Sequence, residues 1–376
     1  MPAEDENRPI GVISEARTTT IASGNRAAGD LTNSTRLPSP IGVKDVSSVD
    51  VIVPCYGYGH FLTECVESVL GQEGVSARVL IIDDASPDHT DVVGRALAGR
   101  DSRVTFRRHA TNKGHIATYN EGIEWASAEH VLLLSADDYL LPGALGRACR
   151  LLEKRPSLGF VFGEAVILHP DGSTEAVHPP VHGDGRETSV MTGAEFISAS
   201  GAANIVPTPT AVVRTELQKR TGGYRPELPH SGDMEMWFRL AALAEVGFIA
   251  SPLGVYRRHE ANMSLAYLGD HLLTDLRERL EALSVFFATG AAPLASDPAV
   301  RQTLLRSLAL QAVGRASMAL NEGDPEGSKA LRAFAVEVWP TVRTSPAWIR
   351  LAAKRLVGAE RWRSMRSAKA MLSGRG

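Results

Sequence analysis

From residue 49 onward, short apolar runs alternate with amphipathic segments. The runs VDVIVP (49–54) and ARVLIIDD (77–84) are rich in branched residues, which is typical of strands that are covered on both faces. The segment HFLTECVESVLGQ (60–72) between them places its apolar residues on one helical stripe. The pattern therefore predicts a strand, a helix and a second strand.

The same alternation continues to about residue 136. The predicted elements are a helix around Val92 and Leu97, a strand at 104–108, a helix at 115–126 and a strand at 130–136. Strands separated by helical patterns of about 10 to 15 residues favour βαβ units and a parallel sheet.

After residue 156 the pattern is less regular. It predicts a strand at 158–168, an Asp-Gly turn at 169–174, extended chain broken by prolines at 204–215, and a helix at 233–247. Beyond about residue 268 the spacing is helical. We therefore expect an α/β domain followed by a helical C-terminal region.

Composition narrows the class of protein only slightly. A chain of 376 residues can bury a sizeable core in more than one structural unit. A net charge of −3 gives no reason to expect nucleic-acid binding by the whole molecule. The cysteines Cys55, Cys65 and Cys149 form neither a disulfide framework nor a metal-ligand spacing, which suits a reducing cytoplasm.

The two ends of the chain differ from the middle. Residues 1–47 are polar and aperiodic, and they predict a disordered tail without the apolar core of a signal peptide. No window approaches 18 consecutive apolar residues, so we expect a cytoplasmic protein without a spanning helix. Residues 343–376 hold nine Lys or Arg against one acid, Glu360. This basic end is interpreted as a solvated helical face, as a helix lying on the inner face of an anionic membrane, or as a nucleic-acid contact.

Reactive groups follow three of the predicted strands. PCYGYGH (54–60) comes after the first strand, DDASPD (83–88) ends the second, and SADD (135–138) ends the strand that begins at residue 130. Ligands of open α/β sheets bind outside the carboxyl ends of the strands. We therefore expect these segments to meet in one site. A dinucleotide site is disfavoured, because Leu62 stands where the third glycine of that fingerprint belongs.

Asp137 and Asp138 are adjacent like charges at the edge of a predicted core. Two unit charges about 4 Å apart repel by roughly 4 kcal/mol near a protein surface, so the pair needs a compensating partner. One alternative is a helix cap ahead of Pro142, and another is a salt bridge to nearby arginines. The third is a divalent cation, since carboxylate oxygens suit Mg²⁺ or Mn²⁺.

Several motifs together resemble family 2 glycosyltransferases of the GT-A fold. They occur in the family's order and spacing between residues 49 and about 265, and they are VDVIVPCYGYGHFLTECVESVLGQ, VLIIDDASPD, NKGHIATYNEGIEWA, LLLSADDYLLPGAL, SGDMEMWFRLA and YRRHEANMS. The resemblance implies a Rossmann-like, mostly parallel sheet flanked by helices at 48–268, with the tail at 1–47 and the helical region at 269–376 outside it. It also implies an inverting enzyme of the hexosyltransferase type that uses a nucleotide diphosphate sugar.

The resemblance assigns roles to individual positions. Asp233 looks like the catalytic base and Asp138 like the principal metal ligand, with Asp137 near the ribose or the metal. The donor contacts that it implies are Pro54, Tyr56, Asp83, Asp84, Lys113, Arg257 and Arg258. His259 falls in a segment that often contacts the diphosphate or the metal. The implied cofactor is Mg²⁺ or Mn²⁺, and the implied partners are a nucleotide diphosphate sugar and a hydroxyl acceptor such as a saccharide, a lipid-linked glycan or a small molecule.

Some residues depart from the family pattern or allow a simpler explanation. Ser135, Gly57 and Gly232 stand where Asp, Asn and Glu are common. Asp233 has the alternative of a helix N-cap, and Lys113 that of an ordinary surface lysine. Two other functions stay open, a catalytically inert nucleotide-sugar-binding protein and a nucleotidyltransferase of related fold.

Overall fold

A computed structural model describes residues 46–181, 187–262, 272–289, 293–358 and 361. The predicted tail at 1–47 lies outside these residues except for its last two positions. The basic end is described only as far as residue 358 and at residue 361.

The first part of the chain alternates strands and helices as the hydrophobic pattern predicts. Its elements are β1 (Ser48–Cys55), α1 (Gly59–Leu70), β2 (Ser76–Asp83), α2 (Thr90–Arg100), β3 (Val104–Arg108), α3 (His115–Trp125) and β4 (His130–Leu133). The next are β5 (Tyr139–Leu140), α4 (Ala144–Lys154), β6 (Leu158–Leu168), β7 (Thr174–Val177), β8 (Thr188–Met191) and α5 (Gly193–Ser200). Then come β9 (Val212–Arg214), α6 (Thr215–Thr221), α7 (Gly232–Ala241) and β10 (Glu245–Arg257). The C-terminal helices are α8 (Leu272–Ala288), α9 (Pro298–Glu322), α10 (Pro325–Val338) and α11 (Pro346–Val357).

The described strands form one mixed sheet in the order β3-β2-β1-β4-β9-β6-β10-β5. Strands β3, β2, β1 and β4 run parallel, and so do β6 and β10. Strand β9 runs antiparallel between β4 and β6 and joins the two parallel parts. The hairpin strand β7 and the strand β8 add antiparallel pairs to β6 and β10. The expected α/β sheet is therefore present, with the larger of its two parallel parts built from the N-terminal strands.

Two predicted boundaries are wrong. The strand predicted at 130–136 ends at Leu133, because the chain turns there to present the acids that follow. The helix predicted at 233–247 ends at Ala241, and residues 245–257 form β10 instead. The residues of β10 alternate between the two faces of the sheet, with Val246 and Ile249 in different cores, which is the period of a strand.

The sheet separates two hydrophobic cores. Val49, Val51 and Val53 of β1 pack on the side of α1, whereas Ile52 packs on the side of α3. The core on the α3 side continues without a break into α8, α9 and α10, and Phe238 of α7 stacks on Phe286 with ring centroids 5.7 Å apart. The helical C-terminal region is therefore present, and it shares a core with the sheet. The predicted division at residue 268 is a change of secondary structure within one compact unit that begins at Val46.

Helix α3 lies unusually close to the sheet. A Cβ atom at Gly122 would stand 2.2 Å from Cγ2 of Ile52, so only glycine allows this approach. The contact fixes the position of α3, whose N-terminal half faces the carboxyl ends of the strands. None of the helices in the described ranges combines the length and the apolar character needed to cross a membrane.

Candidate active site

The three segments that follow β1, β2 and β4 meet at one edge of the sheet. Cys55 at the end of β1 pairs with Asp83 at the end of β2, and the amide of Leu134 donates to the carbonyl of Ile52 at 2.9 Å. The ends of β1, β2 and β4 are thus neighbours. The predicted convergence of these segments is present in the fold.

Asp83 and Asp84 hold the loops around this edge. Asp83 is fully buried, accepts a hydrogen bond from the amide of Ser86 at 2.8 Å and forms an ion pair with Arg108. Asp84 is 3% exposed and accepts hydrogen bonds from His109 Nδ1 at 2.6 Å and from the amides of residues 113 and 114 at 2.8 Å each. Burial alone would raise the pKa of Asp84, but these hydrogen bonds lower it overall. Asp83 and Asp84 therefore hold the loops at the edge of the sheet where the sequence predicts a ligand site.

The other predicted donor contacts on this side are more accessible. Tyr56 is 50% exposed and follows Pro54, which is partly buried at the end of β1. Gly57 has a φ of +76°, a conformation that explains why glycine stands at this position. The side chain of Lys113 is half-exposed, and its Nζ lies 3.3 Å from a carboxylate oxygen of Glu121. Tyr56 and Lys113 thus have surface free for a ligand.

The acid pair after β4 is almost closed off from solvent. Asp137 is 6% exposed and Asp138 is 2% exposed. Within the described residues, the one hydrogen bond to the Asp138 carboxylate comes from the amide of Arg257 at 2.9 Å. Burial, followed by the negative charge of Asp137, raises the pKa of Asp138 well above its usual range. Ionisation of both Asp137 and Asp138 is therefore unfavourable, and the described hydrogen bonds offset this cost only in part.

Two of the three explanations for this pair are wrong. The helix after it has Gly143 at its N-cap and no capping side chain, so the acids are not helix caps. Among described residues the guanidinium of Arg257 pairs with Glu64 at 2.6 Å and gives Asp137 only a bond to its backbone carbonyl at 2.9 Å. A divalent cation would supply the missing positive charge, and its chemistry matches two adjacent carboxylates. The pair thus fits the implied Mg²⁺ or Mn²⁺.

The segment after β10 closes over the acid pair. His259 Nε2 lies 3.0 Å from Oδ2 of Asp137, and the side-chain amide of Asn262 donates to the same oxygen at 3.2 Å. The imidazole also stacks edge-on against Tyr58, with ring centroids 5.1 Å apart. Arg258 is exposed, and its amide donates to the carbonyl of Leu168 at 2.8 Å.

His259 therefore contacts Asp137 as a hydrogen-bonding partner. Within the described parts of the chain, no three His, Cys, Asp or Glu side chains form a cluster that holds a metal ion by itself. The residues fit an ion that completes its coordination with substrate phosphates, as Mg²⁺ commonly does.

Asp233 lies in the first turn of α7, which begins at Gly232. Thr208 Oγ1 donates a hydrogen bond to its Oδ2 at 3.3 Å, and the hydroxyl of Tyr224 donates a second one. Ser231 occupies the N-cap position, so the N-cap interpretation of Asp233 is wrong. Burial raises the pKa of Asp233, and these two hydrogen bonds offset the rise in part. A carboxylate with a raised pKa is suited to accepting a proton near neutral pH.

Tyr119 on α3 connects the acid pair with Asp233. Burial raises the pKa of its phenol, and the negative charges of Asp233, Asp137 and Asp138 raise it further, in that order. Tyr119 also packs edge-on against Tyr224 with ring centroids 5.3 Å apart. The partly buried phenol of Tyr119 therefore feels the charges of all three acids and is in ring contact with Tyr224, the hydrogen-bond partner of Asp233.

Sequence reasoning missed the aromatic and amide groups of this cleft. Asn120 donates to the carbonyl of Tyr224 at 2.9 Å and accepts from its amide at 2.7 Å, so α3 fixes the loop that carries Tyr224. Thr208 follows a proline-rich segment that gave no functional signal. No regular spacing marks a functional tyrosine or threonine in such segments. Their roles depend on contacts with residues that are distant in the sequence.

The comparisons with known proteins agree with this geometry. Residues 50–179 match the family described as Glycosyl transferase family 2. The match covers about a third of the chain, and this part of it is similar to family 2 glycosyltransferases. The predicted enzyme class, glycosyltransferase, is thereby confirmed.

Two relatives show how far the likeness extends. An uncharacterized protein of Mycobacterium tuberculosis is 28% identical over 219 residues, which cover 57% of this chain and 67% of that protein. The hyaluronan synthase of Pasteurella multocida is 30% identical over 131 residues, or 35% of this chain and 13% of the synthase. The glycosyltransferase domain thus matches only a small part of that longer synthase.

Two solved structures share the fold. TarS of S. aureus in complex with UDP has a TM-score of 0.52 at 16% identity, and the match covers 79% of this chain and 91% of TarS. A mannosyltransferase of Pyrobaculum calidifontis, in complex with GDP-Man and Mn²⁺, has a TM-score of 0.51 at 18% identity. The match covers 82% of this chain and 79% of the mannosyltransferase chain. These likenesses confirm the predicted GT-A type fold of the glycosyltransferase.

The burial of Asp233 predicts a specific effect on stability. Because its folded-state pKa is raised, its ionisation at neutral pH opposes folding, and this cost disappears as the pH falls through that pKa. Asp233→Asn should therefore increase the free energy of unfolding at pH 7.5, and the gain should shrink toward pH 4. Urea unfolding at both pH values measures it.

Asp91→Asn is the matched control, because Asp91 lies on the surface and pairs with Arg95. It should change the free energy of unfolding by no more than about 0.5 kcal/mol at either pH. Equal or lower stability of the Asp233 variant at pH 7.5 would contradict a raised folded-state pKa for this partly buried carboxylate.

Proposed function

We propose that this glycosyltransferase moves a hexosyl group from a nucleotide diphosphate sugar to an acceptor hydroxyl, inverts the anomeric centre, and uses Asp233 as the general base. The observation that carries the proposal is the position of α3: the amides at its N-terminal end donate to Asp84, and its Tyr119 packs against Tyr224, which hydrogen-bonds to Asp233. The complexes of related fold with UDP and with GDP-Man support a nucleotide sugar as donor. An acceptor that is itself a saccharide agrees with the relationship to a polysaccharide synthase.

The proposed reaction is a single displacement. The acceptor oxygen forms a bond to the anomeric carbon while the bond from that carbon to the diphosphate oxygen breaks, and its electron pair leaves with the diphosphate. The acceptor proton moves to a carboxylate oxygen of Asp233. Attack from the face opposite the leaving group inverts the centre, as in single-displacement glycosidases. Thr208 and Tyr224 orient the carboxylate through their hydrogen bonds to it.

On the donor side, Pro54 and Tyr56 are proposed to contact the nucleobase, because they lie at the end of β1 and Tyr56 is half-exposed. Asp83 and Asp84 are proposed to complete the base and ribose pocket from beneath. The hydrogen bonds from residues 113 and 114 to Asp84 would hold the loop of Lys113 at the pocket.

On the diphosphate side, Asp137 and Asp138 would hold Mg²⁺ or Mn²⁺. A bound divalent ion supplies positive charge that stabilises the departing diphosphate. His259 orients Asp137 through the contact at 3.0 Å. Arg257 positions Asp138 through its backbone amide, and the exposed Arg258 is proposed to face the phosphates.

The base assignment predicts a loss of turnover with little loss of donor binding. Asp233→Asn should reduce kcat by at least about 10²-fold, since the amide cannot accept the proton. Thermal shifts with UDP-, GDP- and dTDP-sugars in the presence of Mn²⁺ first identify the donor and then compare its affinity between the variant and the native protein.

Asp91→Asn serves again as control and should keep native turnover. Near-native kcat in the Asp233 variant would exclude it as the base. If no nucleotide sugar shifts the melting temperature of the native protein, the donor class itself is wrong.

The metal assignment predicts that donor binding becomes insensitive to the ion when Asp138 is changed. Asp138→Ala should abolish the increase in donor affinity that Mn²⁺ produces, because the ion loses its buried carboxylate. Calorimetry with and without Mn²⁺ measures the effect. Glu67→Gln, an exposed change on α1, should leave the increase intact. An unchanged response to Mn²⁺ in the Asp138 variant would reject its role as ligand.

We also propose that α11 contacts an anionic membrane surface. Ile349 and Leu356 are 59% and 90% exposed and lie seven residues apart, about two turns, on one face of the helix. Leu351 and Lys354 are buried on the opposite face. The exposed Arg350 is one of nine basic residues in the last 34 positions, 343–376, so charge and apolar surface occur together as in helices that lie on lipid.

The membrane proposal predicts a loss of lipid binding when the exposed ridge is made polar. Combining Ile349→Ser with Leu356→Ser should weaken binding of the full chain to vesicles with 30% phosphatidylglycerol by at least about tenfold, which is roughly 1.4 kcal/mol. Co-sedimentation measures binding.

The combination of Val92→Ser with Met318→Ser is the control, because these side chains are also exposed, at 69% and 53%, but lie on other helices. It should bind like the native chain. Native-like binding by the Ile349 and Leu356 variant, or equal binding to uncharged phosphatidylcholine vesicles, would contradict the proposal.

A further inference from the structure

A groove runs along α9 beside Trp339, outside the cleft that contains the acids. Its volume is about 620 Å³, within the range of roughly 300 to 1,000 Å³ that is usual for ligand sites. Its walls carry the side chains of Gln302, Arg306, Ser307, Gln311 and Trp339. The mechanism proposed above uses none of them.

The chemistry of these walls matches a carbohydrate. A sugar ring presents C–H groups on its faces and hydroxyls on its edges, so it needs one aromatic surface and several neutral donors and acceptors. Trp339 supplies the aromatic surface, and Gln302, Ser307 and Gln311 supply amide and hydroxyl groups. Arg306, whose guanidinium carbon lies 5.5 Å from the Trp339 ring centroid, is the one basic residue of the described lining, which contains no acid. That composition disfavours both a diphosphate and a divalent cation.

We propose that this groove binds an oligosaccharide part of the acceptor. The inference rests on the proposed function, because it assigns the acceptor to the saccharide class and places part of it away from the reacting hydroxyl. The groove would hold sugar units of the acceptor chain while its end reaches Asp233.

The backbone limits how far the groove wall lies from the base. The amide of Ala202 donates to Oγ of Ser307 at 3.4 Å, and Ala202 precedes Thr208 by six residues. Thr208 in turn donates to Asp233. Six residues span at most about 22 Å when fully extended. The separation is therefore within the reach of a short oligosaccharide.

A buried charge network also joins the two sites. Arg279 donates to the side-chain carbonyl of Gln311 at 3.2 Å and pairs with Asp275 at 3.0 Å. Asp275 is 3% exposed and also contacts His230 at 2.8 Å, three residues before Asp233. Burial alone would raise the pKa of Asp275, but its hydrogen bonds and the positive charges of Arg279 and Arg315 lower it overall, so the carboxylate stays ionised at neutral pH. The floor of the groove is thus fixed relative to the helix that carries the base.

Oligosaccharide binding by the full chain tests the proposal, without donor or metal. Calorimetry with cellohexaose, chitohexaose, mannohexaose and a hyaluronan hexasaccharide should give saturable binding of at least one. Thr303→Trp, an exposed change that fills the groove, should weaken it by at least about tenfold, and Trp339→Ala should do the same. Trp348→Ala removes a partly buried tryptophan from α11 and should leave binding unchanged.

The proposal is overturned if none of the four oligosaccharides binds, or if binding survives Thr303→Trp. Asp233→Asn should bind the same oligosaccharide as the native chain does, since the base does not line the groove. The native chain could fail to bind any nucleotide sugar and still bind an oligosaccharide in a way that Thr303→Trp weakens. That result would reject the proposed reaction but not the binding of an oligosaccharide in the groove. Binding of a nucleotide sugar without binding of any oligosaccharide would reject only the proposed role of the groove.

Discussion

The structure depends on keeping several carboxylates largely out of contact with solvent. Asp138 is 2% exposed beside Asp137, and the pKa of Asp233 is raised by burial within range of the same phenol, that of Tyr119. Like charges in a low-dielectric environment repel strongly, so keeping these carboxylates there lowers the free energy of unfolding. A cation and a proton would relieve such repulsion, and the proposed transfer from a nucleotide diphosphate sugar would use both.

Helix α3 sets the relative position of the two halves of the cleft. Gly122 lets the helix approach Ile52 of β1, so its register against the sheet is fixed. From that position Tyr119 reaches toward the acids, and Asn120 holds the loop of Tyr224 by two hydrogen bonds. The proposed donor side, at the ends of β1, β2 and β4, is thereby linked to the proposed base on α7.

The C-terminal helices extend the catalytic unit, because they share the core on the α3 side of the sheet. Asp275 of α8 gathers Arg279, Arg315 and His230 into a buried ion network under the start of α7. A basic, partly apolar α11 and the groove beside Trp339 lie on this same helical region.

The sequence predicted the order of strands and helices up to residue 133, because period-two and helical spacings are local properties. It also predicted the likeness to family 2 glycosyltransferases, because that likeness lies in short motifs. The acid positions at strand ends were equally visible, since parallel strands bring their carboxyl ends to one edge. Local spacing misjudged residues 245–247, where pairing with β6 and β8 makes a strand of a segment with helical spacing. The roles of Tyr119, Asn120 and Thr208, and the neighbours of Asp138, were decided only by tertiary structure, because each depends on contacts between residues far apart in the chain.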